Sequence, residues 1–211
     1  MSGSGPIEVV AFDLGNVLIP WDRDRLYAQL IEDPIERADF LDGVMTMAVN
    51  ERLDRGEPFD VVLAEVAEAH PEVADLVLAF GSRWSETLGE ANDEMVALLS
   101  ELRGRVTTVA LTNWAAETFP VAQARFPWLD WFDDQVVSGR EGVIKPEPAI
   151  YELVERRTGA DPGRIWFTDD SQRNVDAALE RGWQALLFTD AASVRSSLRA
   201  GGIDVGDAAT R

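Results

Sequence analysis

Val9-Val10-Ala11-Phe12-Asp13-Leu14-Gly15-Asn16-Val17-Leu18 decides the fold: an apolar run rich in branched residues climbs to a single carboxylate and then breaks at a glycine. Such a run reads as a buried strand, roughly residues 7–13, that delivers Asp13 to its C-terminal edge. Gly15 then makes a tight turn, where a backbone atom can come close to a ligand.

Downstream of Asp13 the pattern turns helical, with helices expected near 23–32, 34–42, 45–54, 58–69, 72–82 and 92–103. The clearest is 58–69, where Pro58 suits a first turn and Phe59, Val62, Leu63, Val66 and Ala67 share one face. The next strand is Val106-Thr107-Thr108-Val109-Ala110-Leu111, ending at Thr112-Asn113. Beyond it helices (115–125, 147–158, 171–181, 190–200) alternate with strands (135–138, 164–168, 185–188), the signature of a parallel sheet wrapped on both faces. Arg105 follows Asp13 by 92 residues, whereas a parallel crossover needs only about a dozen. The surplus implies a helical insertion. The expected fold class is therefore α/β, a three-layer parallel-sheet core over 1–17 and 92–211 with an inserted α-helical cap over 18–91. The cap reads either as a lid over the strand ends, where open parallel sheets bind ligands, or as an extension that merely packs on the core.

The 211 residues, 46% hydrophobic and 27% charged, are those of a globular chain. Nineteen Lys plus Arg against 38 Asp plus Glu give a net charge of −19, which speaks against nucleic acid and acidic membrane surfaces as partners. A small phosphorylated ligand stays open, because a metal ion and one lysine can reverse the field locally. There is no cysteine, so thiol chemistry, thiolate metal sites and disulfides are excluded, which suits a cytoplasmic protein. The start Met1-Ser2-Gly3-Ser4-Gly5-Pro6 lacks the basic and apolar regions of a signal peptide and is read as a leader without structural weight. No membrane span is expected.

Four features stand at strand ends or in the turns after them: Asp13, Thr112-Asn113, Lys145 in Gly142-Val143-Ile144-Lys145-Pro146, and Asp169-Asp170 after Trp166-Phe167-Thr168. The C-terminal ends of parallel strands share one rim, so these groups are expected to meet. In this order they resemble the motifs of the haloacid dehalogenase (HAD) superfamily of hydrolases, which implies that the core is Rossmann-like. Phe12-Asp13-Leu14-Gly15-Asn16-Val17 looks like its first motif, Leu111-Thr112-Asn113 its second, Lys145-Pro146 its third and Phe167-Thr168-Asp169-Asp170-Ser171 its fourth.

The resemblance implies that the first and fourth motif strands are neighbours, bringing Asp13 against Asp170, where a cation would offset their repulsion. A hard ion with oxygen ligands, Mg²⁺, fits a chain without cysteine or nearby histidine. By resemblance its ligands are the Asp13 carboxylate, the Gly15 carbonyl and Asp170, with Asp169 acting through water. The same resemblance makes Asp13 a nucleophile that forms an aspartyl-phosphate, with Thr112, the Asn113 amide and Lys145 holding the phosphoryl oxygens. Asn174 is expected either to brace the Asp170 loop or to be an ordinary first-turn residue.

The match fails at one position. Phosphatases of the superfamily usually carry an aspartate two residues after the nucleophile as general acid and base, and here that residue is Gly15. A contribution of roughly 10²- to 10⁴-fold is at stake. The Asp-Leu-Gly-Asn-Val form is similar to a subgroup that includes glucose-1-phosphate phosphatase, which implies a Mg²⁺-dependent phosphatase of small phosphate esters, sugar phosphates first. The alternatives are a 2-haloacid dehalogenase, whose motif resembles Asp-x-Tyr-Gly-Thr, and a low-turnover binding or regulatory protein on the same scaffold. Missing the acid, the enzyme is expected to favour anomeric, aryl or acyl phosphates over simple alkyl ones. Asp22 and Asp24 are the nearest stand-ins, or else helix-capping acids.

His70 reads as a helix end, and Trp128, Trp131, Trp166 and Trp183 as packing. Trp21 and Trp84 stand near the two ends of the insertion, where they could line the cleft or clamp the hinge. Met45, Met47, Arg52 and Arg55 occupy its middle, where lids of this type usually read the substrate. Oligomeric state is not legible in the sequence.

Overall fold

All four residues of β1 (Val9–Phe12) are buried, as a strand covered on both faces requires. Its side chains alternate between two apolar clusters. Val10 and Phe12 pack with Trp166 on one face, Val9 and Ala11 with Val109, Leu111, Ile165 and Phe167 on the other. The computed structural model describes residues 6–206. The expected leader at 1–5 and the end of the expected core at 207–211 lie outside the described residues.

Between β1 and the second strand run α1 (Asp24–Tyr27), α2 (Pro34–Gly43), α3 (Met47–Asp54), α4 (Phe59–Ala69), α5 (Ala74–Arg83) and α6 (Asp93–Leu102). The chain continues through β2 (Thr107–Thr112), α7 (Phe119–Arg125), β3 (Asp134–Val137), α8 (Ser138–Glu141), α9 (Pro148–Thr158), β4 (Ile165–Asp169), α10 (Gln172–Glu180), β5 (Gln184–Leu187) and α11 (Ala191–Ala200). The five strands are all parallel in the order β3-β2-β1-β4-β5. Phe12 lies opposite Ala110 on one side and Thr168 on the other, so the three residues that follow emerge together on one rim.

Two expectations shift. The helix expected over 23–32 stops at Tyr27, because Asp33 starts a new one: its side chain accepts from the Ile35 and Glu36 amides at 2.7 and 3.2 Å, with Pro34 in the first turn. The helix expected from 115 begins at Phe119, beside Pro120. The short α8 had no signal of its own in the sequence pattern.

The chain leaves β1 and returns to α6 at one place. Gly89 N–H donates to the Pro20 carbonyl at 2.7 Å, Asp22 N–H to Thr87 at 2.9 Å and Asn92 N–H to Leu18 at 2.8 Å. At its far side the helical stretch rests on the core through the end of α3. Ser138 Oγ donates to the Asp54 carbonyl at 2.5 Å, and Arg55 pairs with Glu147 at 2.7 Å. Gly56, at φ +98, comes so close to Gly139 that a Cβ on it would stand 2.5 Å from the Gly139 carbonyl oxygen. Only glycine fits that backbone and that gap.

Candidate active site

The rim of the sheet gathers Asp13, Lys145, Asp169 and Asp170 into one site. Lys145 is the only lysine in the chain and is fully buried. Its ammonium spends three donors on the Asp13 carboxylate at 2.9 Å, the Asp169 carboxylate at 2.6 Å and the Leu111 carbonyl at 2.9 Å. Asn113 holds the backbone of that lysine from both sides, accepting from Lys145 N–H at 2.7 Å and donating to its carbonyl at 3.0 Å. Thr112 ends β2, and its buried hydroxyl has no partner among the described residues. Such an orphaned donor beside a charged cluster is suited to an incoming anion.

Asn174 Nδ2 donates to Asp169 at 3.0 Å, and so does the Ser171 amide at 2.8 Å; the brace acts on Asp169 rather than on Asp170. Asp170 is instead held by Asn16, whose Nδ2 reaches it at 3.1 Å from a backbone in the left-handed region, φ 55. Oxygens of Asp13, Asp169 and Asp170 lie within 4.8 Å of one another. One ammonium among three carboxylates leaves an excess of negative charge, the donor set that a hard divalent cation fits. The charge imbalance registers in the titration of the group. Burial pushes Asp13 up to about 7; Lys145 pulls it down, and Asp169 and Asp170 add to the rise. Asp170 is raised as well, by burial first. For Lys145 burial opposes the charge, but Asp13 and Asp169 outweigh it and hold the ammonium above its ordinary value.

Asp13, Asn113, Lys145 and Asp170 form the floor of a cavity of about 190 Å³, and Asp169 and Thr112 are buried outside its lining. Its walls include residues that the sequence did not single out: Asn50, Glu51 and Asp54 of α3, Trp114, and Arg173. Trp21 and Trp84 also line it, Trp84 meeting Trp114 edge to face at 5.5 Å between ring centres. Met47 lines it too, whereas Met45 is buried in the core cluster. Arg52 and Arg55, expected where substrate is read, are engaged by Glu57 and Glu65 and by Glu147. Asp24 is a first-turn acid of α1 paired with Arg37, Asp22 accepts from the Asp24 amide at 2.8 Å, and neither lines the cavity.

Asp54 carried one faint signal. An acid in the last turn of a helix faces the negative end of the dipole, which local physics disfavours. Its carboxyl accepts from Asn50 Nδ2 at 2.7 Å. Burial first, then the charges of Asp13 and Glu51, push it up to about 7 against the pull of Lys145.

A carboxyl whose pKa is higher in the folded state binds its proton more tightly there. Folding is therefore favoured below the ordinary value of 3.8 and that gain is lost as pH climbs through about 7. Glu101 and Glu147, lowered by Arg195 and Arg55, act oppositely, but their gain is complete once pH passes their ordinary value of 4.5. In chelator-treated protein, thermal melts between pH 5.5 and 8 should thus show a falling melting temperature. Asp54→Asn should flatten the fall; a rise over that range would contradict it.

Comparison with known proteins bears on the same residues. A family model described as haloacid dehalogenase-like hydrolase matches residues 7–182. A sesquiterpene phosphatase of Aspergillus oryzae is 26% identical over 196 residues, 89% of this chain and 93% of that protein. A D-ribitol-5-phosphate phosphatase of Bacteroides thetaiotaomicron is 23% identical over 205 residues, 91% and 97%. A solved HAD family enzyme of the same bacterium, a mutant in complex with magnesium and inorganic phosphate, has a TM-score of 0.72 at 21% identity, covering 89% of this chain and 98% of that one. A likeness of that degree shows a shared fold. No helix among the described residues is long and apolar enough to cross a membrane.

Proposed function

The chain belongs to the haloacid dehalogenase-like hydrolase family, and from that premise we propose that it is a Mg²⁺-dependent phosphatase of small phosphorylated metabolites, sugar phosphates first. The observation that carries the reading is the buried Lys145 between Asp13 and Asp169, beside Asp170, at the floor of a small cavity. Support comes from two similar phosphatases that align over most of their length. The finer likeness to glucose-1-phosphate phosphatase rests on Asp13-Leu14-Gly15-Asn16-Val17 alone. In this reading the helical stretch 18–91 is a lid, and the aromatic wall of Trp21, Trp84 and Trp114 holds the part of the substrate that leaves.

Asp13 is the nucleophile. Its carboxylate attacks phosphorus and forms an aspartyl-phosphate, which water then hydrolyses, so that one hard displacement becomes two easier ones. Lys145 keeps the attacking oxygen oriented and lowers the cost of the charge that gathers on the phosphoryl group. The free Thr112 hydroxyl and the Asn113 backbone amide donate to the phosphoryl oxygens. Mg²⁺, when bound by Asp13, Asp170 and the Gly15 carbonyl with Asp169 acting through water, supplies further charge neutralisation. Asn16, Asn174 and the Ser171 amide hold the two aspartates in place.

The test is a panel of phosphate esters and 2-haloacids, assayed with and without Mg²⁺. Phosphate release that needs the metal is the expected result. Halide release would replace this reading with dehalogenation, and silence on both classes with a binding protein.

A further inference from the structure

The reaction proposed above lacks a proton donor at Gly15, where a Cβ would meet nothing within 4 Å. The floor of the site offers no substitute. Asp13, Asp169 and Asp170 are the only such carboxylate cluster among the described residues, and Lys145 is saturated by three acceptors. The walls offer two acids. Glu51 is engaged by Arg173 at 3.1 Å. Asp54 stands outside the three-carboxylate cluster, lines the same cavity, and has a neutral amide, Asn50, as its side-chain donor.

We propose that Asp54, carried to the cavity wall by the end of α3, is the general acid and base that Gly15 cannot be; the proposal rests on the phosphatase reading. An Asp13 oxygen bonds to phosphorus, the bond from phosphorus to the ester oxygen breaks, and the Asp54 carboxyl gives its proton to that oxygen, releasing an alcohol. The Asp54 carboxylate then takes a proton from water as the water oxygen attacks the phosphorus of the aspartyl-phosphate. Phosphate leaves, and Asp13 is a carboxylate again with Asp54 protonated. The sum is ester plus water giving alcohol plus phosphate.

The backbone around Asp54 is built for such a task. Its carbonyl accepts from Ser138 Oγ, which also accepts from the Trp114 amide at 2.8 Å, so the acid is tied to the loop after β2. The Gly56–Gly139 approach and the Arg55–Glu147 pair clamp the same end of the helix on the core. A proton held at about 7 is available near neutral pH. The facing charges are Asp13, Glu51 and Lys145, with Asp170 and Arg173 on the same cavity.

The experiment measures kcat/KM, which reports the steps through cleavage of the ester bond, over phosphate monoesters from aryl to alkyl alcohols. A donated proton makes the rate nearly independent of leaving-group acidity, so the wild type should give a shallow series, in place of the preference for good leaving groups that Gly15 alone implies. Asp54→Asn should steepen it, lowering the alkyl-to-aryl ratio by about 10²- to 10⁴-fold. Asp54→Ala, run in parallel with melting curves for both variants, guards against an effect peculiar to the amide. A uniform loss across the series would mark Asp54 as structural and overturn the proposal, as would a steep wild-type series. Wild-type silence on every ester would instead sink the phosphatase reading, and this inference with it.

Discussion

Asp13→Asn is expected to give a folded protein that has lost at least about 10⁴-fold of its phosphate release. The amide cannot attack phosphorus, and no neighbour replaces it, since the other carboxylates at the floor are bound to Lys145, Asn16, Asn174 and the Ser171 amide. Stability should move the other way. Asp13 carries a charge that burial and two adjacent aspartates disfavour, and Lys145 retains Asp169 and the Leu111 carbonyl after the change. In metal-free buffer near pH 8 the variant should melt at or above the wild-type temperature. Substantial remaining turnover would remove Asp13 from the nucleophile's role.

Lys145→Met should be as inactive, with the opposite effect on stability. The substitution leaves Asp13 and Asp169 buried and without their ammonium, the situation in which breaking a buried ion pair costs about 3–5 kcal/mol. For a chain of this size that corresponds to a fall of roughly 6–20 °C in melting temperature. Protonation relieves the unpaired carboxyls, so the deficit should be smaller at pH 5 than at pH 8. The double change Asp13→Asn/Lys145→Met should recover part of it, because the two residues share one interaction. An equal deficit at both pH values would mean that packing of the lysine stem, rather than its charge, holds the site.

The positions legible in the sequence are those whose placement is local. A branched run that stops at a carboxylate announces a buried strand and its exit, and parallel strands put their exits on one rim. That reasoning locates Asp13, Thr112, Asp169 and Asp170 without any knowledge of the helices, whereas Lys145 lies in the loop between α8 and α9 and is singled out by the resemblance of Lys145-Pro146. Asn50 and Glu51 carry no signal because they reach the cavity through a tertiary contact, the end of α3 resting on the core at Gly56 and Gly139, and Asp54 carries only its disfavoured place at a helix end. Nothing in the spacing of residues near 50 registers that approach. Arg55 illustrates the reverse: an arginine in the middle of the insertion suggested substrate, yet its partner is Glu147, 92 residues away in the chain. Asn16 was hidden by a backbone conformation unusual for a residue other than glycine, which turns its amide onto Asp170.

The solitary lysine has a chemical corollary. The folded surface presents no side-chain amine, since the single ε-amino group lies at the bottom of the site with its donors committed to two carboxylates and a carbonyl. Acylating reagents, reductive alkylation and isopeptide conjugation therefore share one side-chain target, closed to all of them until the rim opens. Modification at Lys145, told apart from that of the α-amine by peptide mapping, then acts as an internal clock for that opening.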